Sequence, residues 1–190
     1  KYKFVRRARR NTLYHRGENA KVEQEILQDP TSPHEARVLA ELNLLLLEQW
    51  GERDVTRSKA LLEQHLHTFV EPSPMRQILL TRYTKCLFLE GLPMACLVPM
   101  RQAWELAKTL DFTPRSRLTT QFSLGMYLLG SGHLDEAHTI LYDHLAAEAE
   151  LQLNRSARYP VGRRLLGELH LLRGEWTRAA EHLEEATHIG

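Results

Sequence analysis

The chain has 190 residues, is 43% hydrophobic and 26% charged, and carries a formal net charge of +1. That balance suffices to bury an ordinary core and excludes a disordered or fibrous chain. The longest apolar run, LNLLLL at 42–47, falls far short of the roughly 20 residues that cross a bilayer, so no spanning segment is expected.

The opening segment holds Lys1, Lys3, Arg6, Arg7, Arg9, Arg10 and Arg16 without an acid, a charge of +7 within sixteen residues. With +1 on the whole chain, −6 is left for the rest. A basic helix of this kind suits an acidic protein surface or nucleic-acid phosphate, and equally a solvated end; neither a recognition motif nor stacking aromatics accompany the charge. Because Lys1 opens directly into this stretch with no signal-peptide pattern, the chain reads as a piece of a longer protein. Cys86 and Cys96 lie in apolar context and are too few for a disulfide framework, so two buried thiols in a reducing cytoplasm are expected.

Glycines at 17, 51, 91, 132 and 174 follow one another at intervals of 34, 40, 41 and 42 residues, each between two segments of helical periodicity. Four residues before them stand Leu13, Leu47, Leu87, Leu128 and His170. Five residues after them come Val22, Thr56, Cys96, Ala137 and Ala179, and nine after them Ile26, Ala60, Met100, Leu141 and Leu183. The first set marks the buried stripe of one helix; the other two, a turn apart, mark that of the next. Each unit is therefore expected to be a helical hairpin reversing at its glycine.

Ser32-Pro33, Ser73-Pro74 and Thr113-Pro114 each place a hydroxyl cap before a proline suited to the first helical position; Ser156 and Pro160 mark the last start less sharply. Ten helices are predicted, about 2–16, 19–28, 33–49, 54–69, 74–90, 94–110, 115–130, 134–151, 157–173 and 176–188. No run alternates as a strand would. The expected fold is all-α, a single helical-repeat domain over 1–190 with units near 1–29, 33–70, 74–110, 114–152 and 156–190.

LGMYLLGSGHLDEAHTIL at 124–141 and LGELHLLRGEWTRAAEHL at 166–183 resemble tetratricopeptide (TPR) repeats: Leu-Gly in the first helix, glycine at the turn, alanine early in the second helix and a large apolar residue one turn later. Leu44 and Arg10 replace the helix glycine in the first two units, and the period of about 41 exceeds the standard 34. Repeats of this length resemble the helical-repeat regions of large bacterial transcription activators of the LuxR or STAND type. The resemblance implies a right-handed α-α superhelix of about five hairpins whose concave groove binds a protein or peptide, without catalysis or cofactor. Inner-face positions carried over from the family fall on Arg7, Asn11 and Tyr14, then Glu41, Leu45 and Glu48, then Thr81, Lys85 and Phe88, then Phe122, Met126 and Leu129, then Arg164, Glu168 and Leu171. Gly125 and Gly167 are expected where paired helices cross closely.

Two alternatives stay open. A small-molecule sensor would show an enclosed pocket near Phe122 and Met126, and a nucleic-acid-binding array would gather further basic residues beside the opening helix. Catalytic chemistry is not expected. In HLDEAH, His133 and His138 are five apart, about 140° around a helix, and cannot easily share a metal. His65 and His67 diverge and are expected in solvent, and His182 and His188 have no third ligand nearby in sequence. No phosphate loop, nucleophile elbow or paired-cysteine motif is present.

Overall fold

The computed structural model describes residues 16–48, 55–151 and 159–188, and all regular structure among them is α-helical. The chain gathers into two compact units, Lys1–Thr68 and Phe69–Gly190.

The first unit contains α1 (Arg16–Gln28), α2 (His34–Glu48) and α3 (Thr56–Thr68), with α1 packed on α2 and α2 on α3. Ile26, Ala36 and Ala40 form one cluster of its core, with Val22 and Leu27 against them, and Leu42 and Leu62 are also fully buried. The turn from α1 to α2 is fixed by the Asp29 carboxylate, which accepts from the Thr31 N–H at 3.0 Å and the Thr31 hydroxyl at 2.6 Å.

Several expectations fail in this unit. Gly17 makes no turn and lies inside α1; a helical glycine costs only about 1 kcal/mol, which the packing of Val22 and Ile26 on α2 offsets. Thr56 and Ala60 face solvent, and the buried stripe of α3 is Ser58, Leu62 and His65 instead. The reason is the offset of the helix start: α3 begins five residues after Gly51, whereas later hairpins resume two residues after their glycines. His65, expected in solvent, is consequently buried and pairs through Nε2 with Glu41 of α2 at 3.4 Å.

The second unit holds three hairpins: α4 (Pro74–Leu89) with α5 (Pro93–Thr109), α6 (Pro114–Gly130) with α7 (Leu134–Glu150), and α8 (Tyr159–Leu172) with α9 (Trp176–His188). Successive hairpins touch through α5 on α6, α7 on α8 and α6 on α8. The caps form as expected: Ser73 Oγ accepts from the Arg76 N–H at 3.1 Å and Thr113 Oγ1 from the Ser116 N–H at 3.3 Å, each before a proline.

One turn closes all three hairpins. Gly91, Gly132 and Gly174 have φ of 77°, 78° and 73°, in the left-handed region where a side chain strains. Each glycine N–H donates to the carbonyl three residues back, and the next N–H to the carbonyl five residues back. In the first turn these are Gly91 to Phe88 and Leu92 to Leu87, both at 3.0 Å. This two-bond closure satisfies the last carbonyls of the first helix and aims the second helix back along it.

Cys96, Met100, Ala137, Leu141 and Ala179 are fully buried, as the stripes require. A Cβ on Gly125 would lie 2.6 Å from Leu141 Cδ2, and one on Gly167 2.6 Å from Leu183 Cγ, so both glycines sit at close crossings. Cys86 and Cys96 are free and buried; burial pushes the Cys96 thiol up to about 11, and it donates to the Thr84 and Leu92 carbonyls at 3.4 Å. Among the described residues, no helix is long and apolar enough to cross a membrane.

Candidate interaction surface on the first helices

In the second unit the first helix of each hairpin carries matching positions. Thr81, Phe122 and Arg164 form one row and Lys85, Met126 and Glu168 a second, at steps of 41 and 42 residues. Lys85 and Arg164 are exposed, and Thr81, Phe122, Met126 and Glu168 are half-buried. Arg164 Nε lies 3.5 Å from Glu168 Oε1, one helical turn away.

Packing explains why these positions are only partly open. Between α4 and α6, Gln77 Nε2 donates to Thr120 Oγ1 at 2.7 Å, both residues being buried. The Phe88 ring meets that of Tyr127 at 5.2 Å, so Phe88, 39% exposed, helps join the two helices. Phe122 divides its surface likewise, with its ring 5.4 Å from that of His144 on α7. His144 and Glu148 are buried together, His144 Nε2 3.7 Å from Glu148 Oε1. In the third row Leu171 is exposed, but Leu129 is buried and drops out of the surface.

In the first unit Glu41 is exposed and pairs with His65, while Leu45, expected on the surface, is buried because it lines the packing of α2. Glu48 ends α2. An open pocket of about 470 Å³ occurs in this unit, walled by Leu27, Leu44, Leu45 and Leu61 with Glu41 and Arg57 at its charged positions. Arg7, Asn11 and Tyr14, and the basic patch of Lys1, Lys3, Arg6, Arg7, Arg9 and Arg10, lie outside the described residues.

The sequence reading missed a cluster where α7, α8 and α9 meet. His138 faces Tyr142 at a ring separation of 4.5 Å and His170 at 5.8 Å, while His182 lies parallel to His170 at 5.2 Å. The available signal was His170, which occupies the stripe position filled by Leu87 and Leu128 in the preceding hairpins; a polar ring there demands a buried partner. Among the described residues, no group of three His, Cys, Asp or Glu side chains is placed to hold a metal ion.

A similar all-helical fold is found in the crystal structure of the nearly identical TPR-like repeats of a Podosopora anserina kinesin light chain. The TM-score is 0.66 at 18% identity, over 92% of this chain and 86% of that one. The fold is TPR-like. A single-residue variant of the same Podosopora anserina protein gives a TM-score of 0.68 at the same identity and coverage. No protein-family model and no curated protein matches the chain. The rows described above lie on the first helix of each hairpin, and the crossings at Gly125 and Gly167 hold its partner helix close.

Proposed function

We propose that the chain is a non-enzymatic interaction module that grips an extended peptide of acidic and apolar residues across α4, α6 and α8. The carrying observation is the pair of matched rows, in which Lys85 and Arg164 flank the half-buried Phe122 and Met126. An aromatic and a thioether between two cations give a peptide one apolar anchor and charged rims, the usual division between holding and steering. Arg6, Arg7, Arg9 and Arg10 add to the attraction for such a partner and quicken its approach at low salt. The repeat length of about 41 residues supports a place in a bacterial signalling or transcription-regulatory protein of the LuxR or STAND type, and the two free, buried thiols suit the cytoplasm.

Selection of a random peptide library on the chain tests this reading. Selected peptides should be acidic with an apolar centre. Phe122→Ala should speed their dissociation so that affinity falls at least about tenfold. Peptides that bind a Phe122→Ala, Met126→Ala double variant as tightly as the wild type would remove the surface from consideration.

A second reading, a small-molecule sensor, draws on the 470 Å³ pocket of the first unit, whose leucine walls and Glu41 and Arg57 suit a small amphipathic molecule. Arg57→Glu should then abolish a ligand-induced rise in melting temperature without touching peptide binding. Nucleic-acid contact rests on the basic opening segment alone, and its mark would be binding to duplex DNA that weakens steeply with salt.

A further inference from the structure

The cluster between the last two hairpins is independent of the peptide surface. α7 contributes His138 and Tyr142, α8 contributes Arg163 and His170, α9 contributes His182, and Glu175 stands in the turn before α9. Tyr142 Oη lies 3.1 Å from His170 Nε2 and 2.8 Å from His182 Nε2. His170 Nδ1 lies 2.6 Å from Glu175 Oε2, and Arg163 Nη1 lies 3.2 Å from His182 Nδ1. His170 is fully buried and His182 is 8% exposed.

One placement of protons makes all four contacts hydrogen bonds. A guanidinium only donates, so Arg163 requires His182 Nδ1 to be bare. The His182 proton therefore sits on Nε2 and is donated to the Tyr142 oxygen. Tyr142 in turn donates its hydroxyl proton to His170 Nε2, and His170 Nδ1–H donates to the Glu175 carboxylate. His182 is neutral in this chain of contacts. A second proton on His182 has only Nδ1 to occupy, and there it meets the N–H of Arg163.

We propose that this cluster is a proton-operated clasp on the last hairpin: neutral His182 joins Arg163 of α8 to Tyr142 of α7, and protonation of His182 at Nδ1 breaks the Arg163 contact between α8 and α9 and lets that hairpin loosen. The charged and titratable groups around His182 are Tyr142 from α7, Arg163 and His170 from α8, and Glu181 and Glu185 from α9, with Glu175 and Arg178 beside Tyr142. Burial, followed by Arg163 and His170, holds His182 below its ordinary 6.5, and Glu185 and Glu181 pull the other way without overcoming them. Arg163 is itself fixed by Glu185 at 2.7 Å, so it stays against the ring. A histidine with a lowered folded-state pKa binds its proton more readily once released. The clasp's contribution is thus complete above about pH 6.5 and is lost as the pH falls from there through the lower folded-state value of His182.

Hydrogen exchange of the whole chain between about pH 7.5 and pH 5 tests the clasp. Protection factors in α8 and α9 should fall by up to about tenfold per pH unit below about pH 6.5, while those in α4 and α5 hold. His182→Gln retains an N–H for Tyr142 and an oxygen for Arg163 but cannot titrate, and its α8 and α9 protection should be flat with pH. If wild-type protection does not depend on pH, or falls with the same midpoint in His182→Gln, the clasp is refuted. Should that variant not fold, the His182 ring titration followed by NMR decides: Arg163→Gln should move it upward, and an unmoved titration overturns the proposal.

Discussion

Around α4, α5 and α6 the packed groups are Leu87, Cys96, Met100 and the Phe88–Tyr127 ring pair, and the buried polar link is the neutral amide–hydroxyl bond from Gln77 to Thr120. Around α7, α8 and α9 the same hairpin geometry is joined by two imidazoles, a phenol, a carboxylate and a guanidinium. Burial raises both Cys96 and Tyr127, so neither changes charge near neutrality. His182 and His138 are both lowered, His138 by desolvation first and then by Arg173 and His170, so the second packing holds groups that titrate near neutrality, and under the proposed clasp it responds to pH where the first does not. Repetition of a backbone motif therefore does not imply repetition of the conditions under which it holds.

Three substitutions sharpen or break that contrast. The largest effect is expected from Leu141→Ala, which empties a fully buried site beneath Gly125 and should cost about 2–5 kcal/mol in denaturant melts, at pH 7.5 and pH 5.5 alike. Gly167→Leu comes next. It drives a side chain into Leu183 and should cost about 1–3 kcal/mol at neutral pH despite the better helix propensity of leucine. With the clasp released at about pH 5, Leu183 has room to give and the cost should shrink; an equal cost at both pH values would show that the last hairpin is held as rigidly as the others. The smallest effect is that of Thr120→Val, which removes the shorter of the two acceptors of the Gln77 amide, leaving Thr81 Oγ1 at 3.3 Å, and should cost about 1 kcal/mol regardless of pH. A pH-dependent cost there would erase the distinction between the two packings.

The hairpins from Pro74 onward were legible because their signals are local: a hydroxyl–proline start in the first two, and in all three a left-handed glycine stop and stripes at fixed offsets from that stop. The same counting failed at Thr56 and Ala60, since an offset transfers only where the turn is the same length, and α3 starts three residues later than the pattern assumes. The rows on α4, α6 and α8 were legible as positions. Their exposure was not, because Phe122 is partly covered by His144, which no periodicity pairs with it, and Leu129 is buried. The histidine cluster was missed for a similar reason: Tyr142 meets residues 28 and 40 positions away. Helical spacing around Tyr142 shows neither of those partners.

At the three turn glycines a Cβ would meet nothing within 4 Å, so volume does not exclude a side chain there. Only the sign of φ does. A residue of opposite chirality finds its own favoured basin at these angles, so D-alanine introduced by chemical ligation would keep the hairpin where L-alanine strains it. It would also narrow the conformations open to the unfolded chain, a gain for the folded state that no added contact supplies. The boundaries between helices in the second unit are in this sense stereochemical marks, set at three α-carbons that have no handedness of their own.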